Sequence, residues 1–252
     1  MFMRFLQLKL KPENINYFKI FYETDVIGEL RSTPGCLFAG LIKSKPEDNE
    51  FISLTFWEKQ EHAESYESGG TFDKLLVKAK PYLDESAEWK LQLSEDMELQ
   101  YVPEEEDPVV KKYVVAVQNN DASEFLSKPS NMFVRVLSLI IQQDKLDEFK
   151  NLYSSIIIPE FKSTKGCRYV FLTESVSQSN EFISVTIWDS KHDADVYEST
   201  GKFQELTDKI KHTFSQLYLW KVSLEKDYGK KITTSEDFKI EQYDIVTGKS
   251  FL

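Results

Sequence analysis

Four side chains on one face of a short run give the first hint of chemistry. Phe51, Ser53, Thr55 and Trp57 alternate with Ile52, Leu54 and Phe56, and the same types return 131 positions on as Phe182, Ser184, Thr186 and Trp188. A large aromatic beside hydroxyls makes a mixed face, suited to the space between two packed sheets. The purely apolar face, Ile52, Leu54 and Phe56 (Ile183, Val185 and Ile187), suits a cover of helices. The alternative for the mixed face is that two copies have simply not diverged there. Other chemistry is excluded more firmly. His62, His192 and His212 recur at no equivalent sites and show no metal-ligand spacing. There is no Gly-rich phosphate loop, no GxSxG and no recognisable Cys–His pairing, which removes standard hydrolysis and phosphoryl transfer. Cys36 and Cys167 occupy equivalent positions. They are expected to be free, core-filling thiols in a reducing compartment.

The elements that hold this face are written twice. The same step of 131 carries Phe2, Arg4, Leu6 and Leu8 onto Phe133, Arg135, Leu137 and Leu139, and Gly35-Cys36 onto Gly166-Cys167. It also carries Tyr66-Glu67-Ser68 onto Tyr197-Glu198-Ser199 and Trp89 onto Trp220. Alternation at residues 2–8 predicts a strand, and Ile15, Phe18, Phe21-Tyr22, Val26 and Leu30 predict one long amphipathic helix after Lys11-Pro12. Pro34-Gly35 ends it, and residues 36–42 and 51–57 read as a hairpin. Residues 59–68 and 71–80 read as helices broken at Gly69-Gly70, and Trp89, Leu91 and Leu93 as a closing strand. The order strand, helix, strand, strand, helix, strand is the split βαβ, ferredoxin-like unit. The fold class is therefore α+β: two tandem ferredoxin-like repeats packed sheet to sheet as a pseudo-dimeric barrel. The expected organisation is a first repeat at 1–95, a linker at 96–131, a second repeat at 132–226 and a C-terminal extension at 227–252. The linker carries the acidic turn 103–108 and a strand-like Tyr113–Val117, expected to add an edge strand or to wrap the outside of the repeats; for the extension, packing of Ile240, Tyr243 and Ile245 on the sheet and disorder of the last few residues are both open.

The 252 residues carry a formal charge of −11. That opposes a polyanionic partner, so nucleic acid and anionic membrane surfaces are not expected. The opening residues lack a signal-peptide core and no stretch is long and apolar enough to cross a bilayer, which predicts a cytoplasmic protein.

These residues resemble the antibiotic biosynthesis monooxygenase-like family of dimeric α+β barrels. The match rests on Thr33-Pro34-Gly35-Cys36-Leu37, on Ser53-Leu54-Thr55-Phe56-Trp57, and on the following helix with Ala63, Tyr66 and Phe72, and it covers residues 2–94 and 133–225. The resemblance implies a cofactor-independent monooxygenase that binds a small aromatic or quinol-type molecule between sheet and helices. It implies no cofactor, a small-molecule ligand, and a covalently fused pair compatible with a homo-oligomer of pseudo-dimeric chains. The other reading is a non-catalytic small-ligand-binding or assembly module of the same fold. By resemblance, Tyr66 and Tyr197 are hydrogen-bond donors and Arg4 and Arg135 stabilise an anion. Trp57 and Trp188 wall the pocket, with Phe51, Phe182, Thr55 and Thr186 as further ligand contacts. The same residues have plainer roles open to them: core for the tryptophans, helix-to-sheet packing for the tyrosines, ion pairs for the arginines. The chain also departs from the family. Many members carry histidine where Tyr66 and Tyr197 stand, or where Thr71 and Lys202 stand. Haem-degrading relatives place a ligand histidine where this chain has Leu76 and Thr207, so haem is not expected. Lys202 in place of Thr71 is expected to narrow or charge the second pocket.

Overall fold

The protein is described by a computed structural model covering residues 1–84, 88–93, 99–104, 108, 110–118, 132–228 and 238–251. The first repeat runs β1 (Phe2–Lys9), α1 (Ile15–Phe21), α2 (Ile27–Ser32), β2 (Cys36–Ser44), β3 (Glu50–Trp57), α3 (Gln60–Ser68) and α4 (Thr71–Ala79). Then come β4 (Glu88–Leu93), β5 (Leu99–Glu104) and β6 (Val110–Gln118). The second repeat follows the first: β7 (Phe133–Ile140), α5 (Leu146–Leu152), α6 (Ile158–Ser163), β8 (Cys167–Ser175), β9 (Glu181–Trp188), α7 (Lys191–Ser199) and α8 (Lys202–Ile210). The chain continues with α9 (Gln216–Tyr228) and β10 (Phe238–Ser250).

The strands close into one barrel in the order β1-β3-β2-β10-β7-β9-β8-β6. The two repeats therefore share a single interior, as the sheet-to-sheet pairing required. The closing strands differ from expectation. The run with Trp89, Leu91 and Leu93 is a strand, but it pairs with β5 in a separate two-stranded sheet. Trp220 of the second copy lies in α9 instead of a strand. The fourth barrel strand of each repeat comes from farther along the chain. β6 pairs with β1 on one side and β8 on the other, so it is no edge strand, and β10 does the same with β7 and β2. Each joins the two repeats, which removes the open edges that would otherwise invite aggregation. Of the acidic run 103–108, Pro103 and Glu104 end β5, and residues 105–107 lie outside the described residues.

The apolar residues form three layers. Ile52, Leu54 and Phe56 meet Val134, Ile183, Val185 and Ile187 inside the barrel. Phe51 and Trp57 pack instead under the helices with Phe18, Tyr22 and Tyr66, and Phe182 and Trp188 do so in the second repeat. The expected assignment of faces is thus reversed. A closed barrel lumen offers the strands no helix side chains for hydrogen bonding, so the purely apolar face turns inward. The hydroxyl-bearing face turns to the helices, where polar partners exist.

The predicted long helix is present with a difference. Between α1 and α2, residues Tyr22–Val26 form a π-turn, and Tyr153–Ile157 repeat it between α5 and α6. Gly35, at φ +75°, carries the chain out of α2; a Cβ there would stand 1.8 Å from His62 Nδ1.

Candidate functional site

In each repeat the mixed strand face and its helical cover enclose a small cavity. The first holds about 40 Å³ and is lined by Arg4, Ser53, Thr55 and Tyr66 among apolar walls that include Leu75 and Leu76. The second holds about 30 Å³ and is lined by Arg135, Ser184, Tyr197 and Thr207 among similar walls. Each is large enough for a water or two and far below the several hundred Å³ typical of a site closed around an organic ligand.

Each π-turn supplies two of the lining residues. Tyr22 and Val26 of the first turn, and Tyr153 and Ile157 of the second, face the cavities. Tyr22 shares a hydrogen bond of 2.8 Å with Ser53, and Tyr153 one of 2.6 Å with Ser184, pinning helix to strand. Such one-residue widenings recur at functional sites because they re-aim side chains without ending the helix.

The arginines are the most unusual groups. Arg4 and Arg135 are each 2% exposed. Arg4 Nε donates to Glu67 Oε1 at 2.7 Å, and Arg135 Nε to Glu198 Oε1 at 2.6 Å. Their guanidinium carbons sit 4.2 Å and 4.4 Å from the ring centres of Phe72 and Phe203. In both, Nη2 is buried with no hydrogen-bond partner. A buried unsatisfied donor costs about 1–3 kcal/mol, so its recurrence in both copies points to a group held for something outside the protein. Glu67 is also bound by Lys112 of β6. Burial alone would push the Glu67 carboxyl up, but the hydrogen bonds from Lys112 and Arg4 outweigh it and hold the pKa below the ordinary glutamate value.

Tyr66 and Tyr197 line the same cavities, and no hydrogen bond engages either hydroxyl among the described residues. Burial drives both phenols well above the ordinary tyrosine value, with the nearby arginine pulling the other way. Each stays protonated at neutral pH and keeps an O–H able to donate. In each repeat, then, the arginine Nη2 and a neutral phenol hydroxyl, neither hydrogen-bonded among the described residues, line one largely apolar cavity, an arrangement able to bind and stabilise an oxyanion.

The remaining expected residues fall around this pair. Thr55 lines the first cavity, but Thr186 does not line the second. The tryptophan indoles donate to the neighbouring threonines at 2.8 Å and 2.9 Å, so their polar handle is already occupied. Trp57 and Trp188 are wholly buried behind Tyr66 and Tyr197, with ring centres 5.4 Å and 5.3 Å away, and neither they nor Phe51 and Phe182 line either of these two cavities. Lys202 pairs with Glu160 and Glu205 on the outside and does not reach the second cavity. No histidine lines either cavity, and Leu76 and Thr207 stand at the haem-ligand positions. Among the described residues no cluster of three His, Cys, Asp or Glu could hold a metal ion, and no helix is long and apolar enough to cross a membrane. Cys36 and Cys167 are free, and burial pushes both thiols up to about 12. Tyr22, Ser53, Glu67, Lys112 and Phe72 were not singled out as site residues. For Tyr22, Ser53, Glu67 and Phe72 the usable signal is identity with the second copy at the same 131-residue step.

Comparison with known proteins agrees with this geometry. Over nearly its whole length the chain superposes on a provisionally assigned monooxygenase of Fusobacterium nucleatum subsp. nucleatum ATCC 25586, at TM-score 0.68, 8% identity and 94% coverage of that protein. A similar assignment from Lactobacillus acidophilus NCFM gives TM-score 0.67, 8% identity and 96% coverage, and an anthrone oxidase-like protein gives 0.59, 10% and 93%; each match covers 99% of this chain. At such identities these likenesses speak for the fold. No curated protein gives a significant match. The sequence profile of the antibiotic biosynthesis monooxygenase family matches twice, over residues 1–76 and 132–209. With more than half of its length matched, once in each repeat, the chain belongs to the antibiotic biosynthesis monooxygenase family.

Proposed function

We propose that the chain is a cofactor-independent monooxygenase-like protein that takes a small aromatic, quinol-type anion into the space between sheet and helices, the roughly 40 Å³ cavity widening by movement of its helical wall to admit it. The observation that carries this reading is, in each cavity, a buried arginine Nη2 without a partner beside a tyrosine hydroxyl that makes no hydrogen bond among the described residues: Arg4 with Tyr66 and Arg135 with Tyr197. With no histidine at hand and the tyrosines held protonated, the protein supplies no general base in the cavity. The substrate's own acidity, raised by the arginine, generates the anion. An anthrone-type substrate then needs no cofactor: its CH2 becomes C=O, one atom of dioxygen is retained, and the other leaves as water with electrons supplied by the substrate. The arginine and the tyrosine hydroxyl steady the phenolate and developing peroxide oxygen.

The absence of a base among the cavity residues also favours a second reading, a binding module without turnover. Oxygen consumption with a panel of anthrones and hydroquinones separates the two. The oxygenase reading expects turnover that falls by about 10²-fold or more in Tyr66→Phe/Tyr197→Phe. Activity unchanged in that double variant places the chemistry elsewhere, and saturable binding without turnover establishes the module.

A further inference from the structure

We infer that the two cavities have diverged, the first being the site that takes the aromatic anion and the second a more tightly tied site that holds water. This rests on the anion reading of the cavities. Three independent observations separate the copies.

The first is charge. Arg4, Glu67 and Lys112 form a chain of contacts with a net positive charge. In the second repeat Arg135 and Glu198 cancel, and the residue paired with Arg135 on β10, where Lys112 pairs with Arg4 on β6, is Gln242. A low-dielectric cavity beside a net cation attracts an anion, and one beside a neutral pair does so much less.

The second is access. Outside the first repeat, a cleft of about 570 Å³ has Glu29, Thr71 and Leu75 among its walls, and Leu75 also lines the inner cavity. The wall between solvent and the site is thin here: Leu75 borders both spaces, and Phe72 and Leu76, which also line the cavity, are themselves partly exposed. At the matching positions of the second repeat Lys202 joins Glu160 at 3.1 Å, tying α6 to α8, and Leu206 is fully covered. The first repeat has a tie of its own, Asp25 to Lys78 at 3.0 Å, which leaves Glu29 and Thr71 uncrossed.

The third is lining. Where the first cavity has Leu76, the second has Thr207, buried and without a side-chain hydrogen bond among the described residues. Arg135 Nη2, Tyr197 Oη and Thr207 Oγ1 give three polar partners around about 30 Å³. That is the complement of one buried water.

Two measurements on the full chain test this. In a Cys36→Ala/Cys167→Ala background, Leu75→Cys is expected to react with Ellman's reagent roughly tenfold faster than Leu206→Cys, as local opening is easier there. Adding Lys202→Thr should speed the Leu206→Cys reaction up to about fivefold, the range of one exposed ion pair. Equal rates, or a faster Leu206→Cys, overturn the access argument whatever the ligand. Equilibrium dialysis then uses 2-hydroxy-1,4-naphthoquinone, an enolate at neutral pH. One equivalent per chain is expected, wholly lost in Arg4→Met and weakened severalfold by the surface change Lys112→Gln, which also serves should the cysteine variants fail to fold. Two equivalents, or half the sites surviving in Arg4→Met, overturn the divergence. No binding together with unequal thiol rates refutes the anion reading and leaves the difference in access established.

Discussion

Replacing Arg4 with methionine tests whether the buried arginine is there for stability or for a ligand. Arg4 is 2% exposed and makes a charge-assisted hydrogen bond to Glu67, a contact worth about 1.5–3 kcal/mol. Against that stands the unpartnered Nη2, which costs about 1–3 kcal/mol. Deleting one member of a buried ion pair normally costs about 3–5 kcal/mol because the other charge is left alone. Here it is not alone, since Glu67 is 21% exposed and keeps Lys112. Methionine also retains contact with the Phe72 ring, worth about 0.3–1.5 kcal/mol. The terms nearly cancel, and Arg4→Met is expected to unfold in urea within about 1 kcal/mol of the parent, or within about 2–4 °C in Tm. Arg135→Met should be the more damaging change, because Glu198 has no second cation among the described residues. A loss of 3 kcal/mol or more for Arg4→Met at an unchanged m value, or the reverse ranking of the two variants, would refute the claim that Arg4 is held for a ligand.

Ser53→Ala should cost about 1–3 kcal/mol by stranding the buried Tyr22 hydroxyl, and Tyr22→Phe/Ser53→Ala should cost less than the sum of the single changes in a urea double-mutant cycle. Gly35→Ala should destabilise far more than Gly70→Ala. Both have positive φ, but a Cβ at 35 strikes His62 whereas one at 70 meets open space, so Gly70→Ala should cost only about 1–2 kcal/mol by thermal melt. Burial raises the Cys36 and Cys167 thiols from 9.0 to about 12, so the folded chain keeps protons that the unfolded chain releases. Their contribution to stability is complete below pH 9 and is lost as pH rises toward 12; a Cys36→Ala/Cys167→Ala variant should show a flatter stability profile over that window.

The repeat, the α+β class and the paired barrel were legible because apolar spacing and a constant step survive without alignment gaps. The reversed strand faces were not, because alternation distinguishes two faces without saying which environment each meets; that depended on barrel closure by β6 and β10. The closing strands were misplaced for a related reason. Trp89 and its neighbours alternate well, yet a hairpin and a barrel strand share that pattern. The π-turns left a readable trace. Phe18, Tyr22, Val26 and Leu30 repeat every four residues, a spacing that drifts about 120° around an ideal helix over three steps. One widened turn absorbs the drift and keeps all four in the core. Arg4 and Tyr66 were legible as site residues by resemblance. Glu67 and Lys112 were not, because their part depends on contacts 63 and 45 positions apart in the chain.

Barrel closure also has a cost in time. β2 finds its second neighbour only in β10, where Ser250 pairs with Phe38. At about 5–20 residues per second, the roughly 200 residues between them take about 10–40 s to synthesise. Throughout that interval a nascent first repeat presents an unpaired β2 edge and the bare apolar face of Phe38, Ile42, Ile52, Leu54 and Phe56. Pairings this distant in sequence form slowly even in the finished chain. Ribosome-associated chaperones, or slow translation ahead of β10, would therefore govern how much of the protein reaches its closed form. Truncation just before residue 238 should convert a soluble product into an aggregating one.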